Sequence, residues 1–165
     1  MLQTGIVLDS RYQEHYTGRN HPERAARIAT LLSPIEQYQR PGVKHFAPRL
    51  ATTEEVALIH ESSHIGRVAA TAEKNYFAFD ADTPVSPLSY ATALLATGGL
   101  LTLLEAIMTH DIDNGFALVR PPGHHAERNR AMGFCLFNSI AIGAQYLRQH
   151  FGLKRILIMD WDVHH

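Results

Sequence analysis

The chain opens on a short apolar run, residues 5–8 (GIVL), that reads as a strand, and then turns polar. Residues 9–21 carry Arg11, His15, Arg19 and His21 and read as a surface loop. Pro22 suits the first position of a helix, because its missing N–H has no partner there anyway, and the pattern predicts a helix over 22–38. Pro41-Gly42 marks a turn. Thr52 stands three residues before Glu55, a capping-box spacing that opens a short helix through Ile59. Another helix is expected over 63–74, and Ser86-Pro87 supplies a cap and a first-turn proline for a long helix to about Met108. Gly98-Gly99 inside that helix costs roughly 2 kcal/mol against two alanines, so another element should approach closely there or the helix should kink.

The last third has a clearer plan. Residues 116–119 (FALV) and 156–160 (ILIMD) read as strands. Between them Asn138 can cap a helix whose apolar face takes in Ile140, Ala144, Leu147 and Phe151, with Gly152 as its stop. Strand, helix and strand in that order predict a parallel pair with a right-handed crossover. Leu157, Ile158 and Met159 run on without a polar break, as a strand covered on both faces would. The fold class is α/β.

Composition narrows the function. At 165 residues the chain is expected to be one domain, 1–165, or a piece of one. A formal charge of −1 gives no electrostatic case for nucleic acid or a membrane surface as the main partner. With 45% hydrophobic residues there is enough apolar material for a core. The single cysteine, Cys135, cannot form an internal disulfide and fits a reducing compartment. Residues 1–9 lack the charged and apolar parts of a secretory signal. The most membrane-like stretch, 91–108, is broken by Thr92, Thr97, Gly98, Gly99, Thr102 and Glu105, whereas a span needs about 20 predominantly apolar residues. A buried core helix in a soluble, cytoplasmic protein is the expectation.

The chemistry gathers at two places. Residues 120–136 make a seventeen-residue connection, long enough to suggest a task, and hold Pro121-Pro122-Gly123-His124-His125 and Gly133-Phe134-Cys135. This loop and the segment Asp160-Trp161-Asp162-Val163-His164-His165 both leave the carboxyl ends of predicted strands, the edge where parallel sheets bind ligands. In an extended chain Asp160, Asp162 and His164 project to one side and Trp161, Val163 and His165 to the other. Two carboxylates and an imidazole suit zinc, though a solvated strand end could show the same residues. A histidine beside carboxylates can hold a proton near neutral pH, as acid–base catalysis requires. Cys135 reads as a small buried hydrophobe. His60-Glu61-Ser62-Ser63-His64 matches the H-E-x-x-H pattern of zinc proteases, but Ser62-Ser63 is a helix break, and a protease is the weaker reading.

RPPGHHAE (120–127), GFCLFN (133–138) and ILIMDWDVHH (156–165) resemble the zinc-dependent histone deacetylase and acetylpolyamine amidohydrolase family, nearer its class II and bacterial members. TGIVLD (4–9), NHPER (20–24), EEVALIH (54–60) and DADTPVSPLSY (80–90) agree, so the resemblance covers essentially the whole chain. It implies an arginase-like, three-layer α/β fold around a central parallel sheet. It implies hydrolysis of acetyl groups from lysine side chains, polyamines or related amines. By the same resemblance Asp162 and His164 are two of three zinc ligands, and His124 and His125 handle the protons on water and on the leaving amine. Asp160 orients His124 and helps hold a monovalent cation, usually potassium. Gly133 and Phe134 wall the acyl-lysine channel, and Asp82 is the rim carboxylate that holds the substrate backbone. The third zinc ligand and the group that stabilises the tetrahedral intermediate fall in the family beyond position 165. The expectation is therefore an N-terminal portion of a deacetylase domain, its sheet incomplete, prone to self-association and weak or inactive alone. The alternative from another class is a non-catalytic remnant, or a half-chain that pairs with a complementary piece.

Overall fold

Three parallel strands in the order β2-β1-β5 form the sheet, from Val43–Phe46, Thr4–Val7 and Asn114–Ala117 respectively. The computed structural model describes residues 1–164. β1 is central: Thr4 faces Val43 on one side and Asn114 on the other, and the register runs unbroken to Val7, opposite Phe46 and Ala117. Its Ile6 and Val7 are buried, as an apolar central strand should be. A two-stranded antiparallel ribbon, β3 (Phe77–Ala78) and β4 (Pro84–Val85), carries the 79–83 turn.

The long helix α4 (Ser89–Met108) packs against β1, β5 and α5 (Ser139–Phe151). It is long and apolar enough to cross a membrane, yet 61% of its apolar window lies inside the protein. Its hydroxyls are satisfied within the core, Thr97 Oγ1 meeting Ser139 Oγ at 3.0 Å and Thr102 Oγ1 donating to the Gly98 carbonyl at 2.9 Å. The Gly98-Gly99 pair is where other elements come close. A Cβ on Gly98 would run into the Arg49 carbonyl oxygen, and one on Gly99 would stand 2.6 Å from Tyr12 Oη. Leu101, Leu136 and Ile142 are fully buried, each worth ~1.5–3 kcal/mol in apolar burial.

The smaller helices follow their local signals. Thr52 caps α2 (Thr53–Val56) with both halves of the capping box in place. Residues 62–73 fold as α3 (Ser62–Ala69) and a further tight turn, Ala70–Glu73, close to the predicted 63–74. Asn138 caps α5, and Gly152 stops it at φ +69.

Five expectations need correcting. Residues 9–21 are not a plain surface loop: Tyr12, His15 and Thr17 are buried, and Ser10–Glu14 forms a one-turn helix. The predicted 22–38 helix starts only at Ala26 (α1, Ala26–Glu36), because His21 Nδ1 accepts from the Glu23 amide and holds the preceding turn out of the helix. Ser86 does not cap α4; its Oγ faces the Tyr16 amide and Ser89 Oγ, and the helix begins at Ser89. On α5 it is Ser139, Ile142 and Gly143 that are buried, whereas Ile140, Ala144 and Leu147 line a groove of about 450 Å³.

The fifth correction is the largest. Residues 156–160 form no strand, and among the described residues β5 pairs with β1 alone. Apolar patterning marks a segment that can be covered, but a strand also needs a neighbour within hydrogen-bonding distance along its length. The run instead passes along the groove lined by Leu100, Leu104 and α5, fixed at its end by Asp160 beside His124.

Candidate functional site

A cavity of about 580 Å³ brings His124, His125, Gly133, Phe134, Asp82, Asp162 and His164 together from three separated stretches of chain. Two glycines shape the 120–136 loop around it. A Cβ on Gly123 would stand 2.5 Å from the Phe137 carbonyl oxygen, so the backbone before the histidines lies against the entry to α5. Gly133 has φ +56, and a Cβ there would meet His125 Cδ2 at 2.6 Å, so the channel-wall backbone rests on the His125 ring. Two short antiparallel bridges, Glu127 with Arg130 and Met132 with Cys135, fold the rest of the loop back on itself.

The two histidine rings meet edge to face, with centroids 4.2 Å apart. His124 Nδ1 lies 3.0 Å from Asp160 Oδ2. The other Asp160 oxygen accepts from the Asp162 amide at 3.0 Å, and Asp162 Oδ1 accepts from the His164 amide at 2.9 Å. These are successive side-chain turns rather than the simple alternation of an extended strand, yet Asp162 and His164 still face one cavity. The His164 amide, and then the neighbouring imidazoles, hold the Asp162 carboxyl below the usual carboxylate range. His164 Nδ1 is 3.7 Å from Asp162 Oδ1. Among the described residues no group of three His, Cys, Asp or Glu side chains converges as a metal site.

The rim is braced by a residue that the pattern left in a loop. His21 Nε2 lies 3.1 Å from the Asp82 carbonyl oxygen, and its ring stands edge-on to Phe134 with centroids 4.8 Å apart. The Phe134 amide donates to Thr83 Oγ1 at 3.2 Å, which ties the channel wall to the Asp82 turn. Cys135 is fully buried, its thiol donating to the Gly133 carbonyl and pushed by burial up to about 12. It is no nucleophile.

Pro22, Glu23 and Arg27 also line the cavity, and the sequence reading missed them. Glu23 is buried, with Arg120 Nε donating to its Oε1 at 2.6 Å while Arg120 Nη1 donates to the Tyr12 carbonyl at 2.8 Å. This ion pair anchors the first residue of the histidine loop to the 9–25 segment. The signal in NHPER was a charge cluster before a helix, which patterning alone assigns to solvent.

The H-E-x-x-H stretch divides between elements: His60 follows α2, Glu61 precedes α3, and His64 lies within it. Both rings are buried, with Nε2 engaged by the Asn138 amide (His60, 2.9 Å) and the Leu136 carbonyl (His64, 2.9 Å). They hold backbone.

Residues 21–165 match the histone deacetylase domain. The chain belongs to the histone deacetylase family. It is 36% identical to histone deacetylase 5 of Arabidopsis thaliana, an alignment that covers 99% of this chain and 27% of that protein. A probable deacetylase of Archaeoglobus fulgidus is 33% identical, over 99% of this chain and 46% of its own length. Polyamine deacetylase HDAC10 of Rattus norvegicus is 44% identical over 70% of this chain and 21% of its length. The solved HD domain of HDA15 superposes with a TM-score of 0.89 at 38% identity, covering all of this chain and 48% of that one. The deacetylase fold is thereby shown, and the chain spans half or less of the length of each of these relatives.

Proposed function

We propose that the chain carries the histidine pair and part of the metal site of a zinc-dependent amidohydrolase. It removes acyl groups, acetyl above all, from lysine side chains or related amines such as polyamines. The observation that supports this reading best is the 3.0 Å contact of His124 Nδ1 with Asp160, set beside His125, Asp162 and His164 around one cavity. Asp162 and His164 would hold the metal. Their imidazole and carboxylate donors, 3.7 Å apart at Nδ1 and Oδ1, are of the nitrogen and oxygen types that suit zinc. When bound, zinc polarises the amide carbonyl and makes water more acidic.

Every other step belongs to side chains. Asp160 accepts from His124 Nδ1–H, which fixes the tautomer and leaves Nε2 to take a proton from the attacking water. His125 gives a proton to the departing amine. Gly133 and Phe134 wall the acyl chain, and Asp82 at the rim accepts from the substrate backbone. A monovalent cation, potassium, would sit near Asp160, and the site would operate in the cytoplasm.

The test is hydrolysis of an acetyl-lysine peptide and of an N-acetyl polyamine by a complete homologous chain built on these residues and supplied with zinc. His125→Ala should lower turnover by about 10²–10⁴ with little change in KM, because its proton transfer belongs to the transition state. Near-normal turnover in that variant would take His125 out of the proton path. As an isolated 165-residue chain with two protein ligands, where a catalytic zinc has three, turnover should be weak or absent.

A second reading is a half-chain that associates with a complementary piece. The exposure of Leu157, Met159, Trp161 and Val163 beside the active-site residues favours it.

A further inference from the structure

Asn138 has more bonds than capping a helix requires. Its Oδ1 accepts from the Ala141 amide at 3.0 Å, which is the cap. Its Nδ2 then donates to the His124 carbonyl at 3.2 Å and to the Ala126 carbonyl at 3.4 Å, on either side of His125. Its own amide donates to His60 Nε2 at 2.9 Å. One side chain therefore serves the start of α5 and the backbone of both histidines, while a buried imidazole fixes that side chain's own backbone.

His60 can accept at Nε2 only as the neutral ring with its proton on Nδ1. Burial, and the His64 ring with its centroid 5.0 Å away, favour that neutral form. Nδ1 is turned toward the Glu127 and Arg128 carbonyls without reaching hydrogen-bond geometry. His64 makes the parallel contact one residue beyond Phe137, through the Leu136 carbonyl, and both rings pack on the Phe137 ring. The pair thus grips residues 136–138 from the α2–α3 side.

We infer that His60 and Asn138 are positioning residues for the histidine pair: His60 holds the Asn138 backbone, and the Asn138 carboxamide holds the 124–126 backbone. This sets the approach of His124 to Asp160. The inference rests on the proposed proton-handling role of His124 and His125 for its catalytic meaning, but the coupling itself can be read without any turnover.

The experiment is NMR on the isotopically labelled 165-residue chain, carrying Leu157→Lys and Met159→Glu in every sample to keep it monomeric. The His60 ring should show the Nδ1–H tautomer with Nε2 as acceptor, and the His124 Nδ1 proton should appear far downfield. Asn138→Ser keeps a capping oxygen and removes both donors. It should raise exchange at the Ala126 amide, which donates to the Gly123 carbonyl, by about tenfold and weaken the His124 resonance. The amides of Ile6 and Val7 in β1 and the unfolding midpoint should stay as in the wild type. His60→Leu should reproduce the loop effect, and His60→Gln, whose carboxamide oxygen can accept, should restore it.

Ala126 exchange and the His124 signal left unchanged by Asn138→Ser would overturn the inference. So would a uniform rise across β1 and the loop, which marks a merely structural role. A complete homologous chain that shows the loop coupling but hydrolyses no acyl amide would remove the functional reading and leave the positioning network standing.

Discussion

His15, His60 and His64 are buried, and each is driven toward its neutral form, so acid should cost this protein stability through these histidines as well as through paired carboxylates such as Asp9 and Glu55. Burial and then the Arg120 charge take His15 from 6.5 down to about 3; burial and then His64 take His60 down to about 4. Glu23 Oε2 stands 3.6 Å from His15 Nε2, but its carboxylate already serves Arg120, so burial prevails. Below 6.5 the unfolded chain binds these protons before the folded one does, so stability rises with pH across that window. The histidine contribution should be complete above about 6.5, and fall progressively toward about 4 for His60 and about 3 for His15. Each pKa unit of depression corresponds to ~1.4 kcal/mol. Urea midpoints between pH 4 and 7 measure this, and His60→Gln should flatten the curve; an equal slope in that variant would assign the acid sensitivity elsewhere. At the same scale, Glu23→Gln leaves Arg120 as a buried charge without its counter-ion and should cost about 3–5 kcal/mol. A midpoint shift worth under 1 kcal/mol would show the pair to be dispensable.

Elements with a local signature were legible in the sequence, and elements defined by their neighbours were not. The Thr52–Glu55 capping box, the Asn138 cap and the Gly152 stop are all contained within a few residues, and the structure has each of them. The helix-propensity cost of Gly98-Gly99 asks for either a close approach or a kink, and the structure has the close approach. The 156–160 run failed as a strand because hydropathy says nothing about which edge is near. The surface-loop reading of residues 9–21 failed because Tyr12, like the nearby Glu23, is bonded to Arg120, about a hundred residues away. The candidate site residues were found by motif, and the structure adds what motif cannot give, the bracing by His21, Glu23 and Asn138. Gly98→Ala tests the element scale. Its methyl meets the Arg49 and Leu50 backbone rather than a flexible side-chain end, so the α4 contact must open. Despite alanine's better helix propensity the variant should lose about 1–3 kcal/mol, seen as a lower thermal midpoint; an unchanged or raised midpoint would show that this contact yields freely.

At the scale of the whole molecule, the surface around the site is unusually apolar for the outside of a protein. Leu157, Trp161 and Val163 are each more than 80% exposed, and Met159, Ile158 and Phe116 lie on the same carboxyl-terminal segment or on β5. Among the described residues β5 is paired along one side only, by β1, so its other backbone edge presents unpaired donors and acceptors. Large exposed apolar patches, like unpaired strand edges, mark interaction surfaces in stable proteins and aggregation sites in isolated ones. Zinc should bind weakly to Asp162 and His164 and do little to quiet this surface, since Trp161 and Val163 beside these ligands stay exposed. The isolated 165-residue chain should therefore sediment as dimers or larger species at micromolar concentration, with a broad unfolding transition. Leu157→Lys with Met159→Glu should shift it toward monomer without altering the His124–Asp160 contact, which uses other atoms. Asp162→Ala should abolish zinc binding and leave the association unchanged. A monodisperse wild-type monomer with a sharp cooperative transition would mean that this surface is covered in solution by the chain itself.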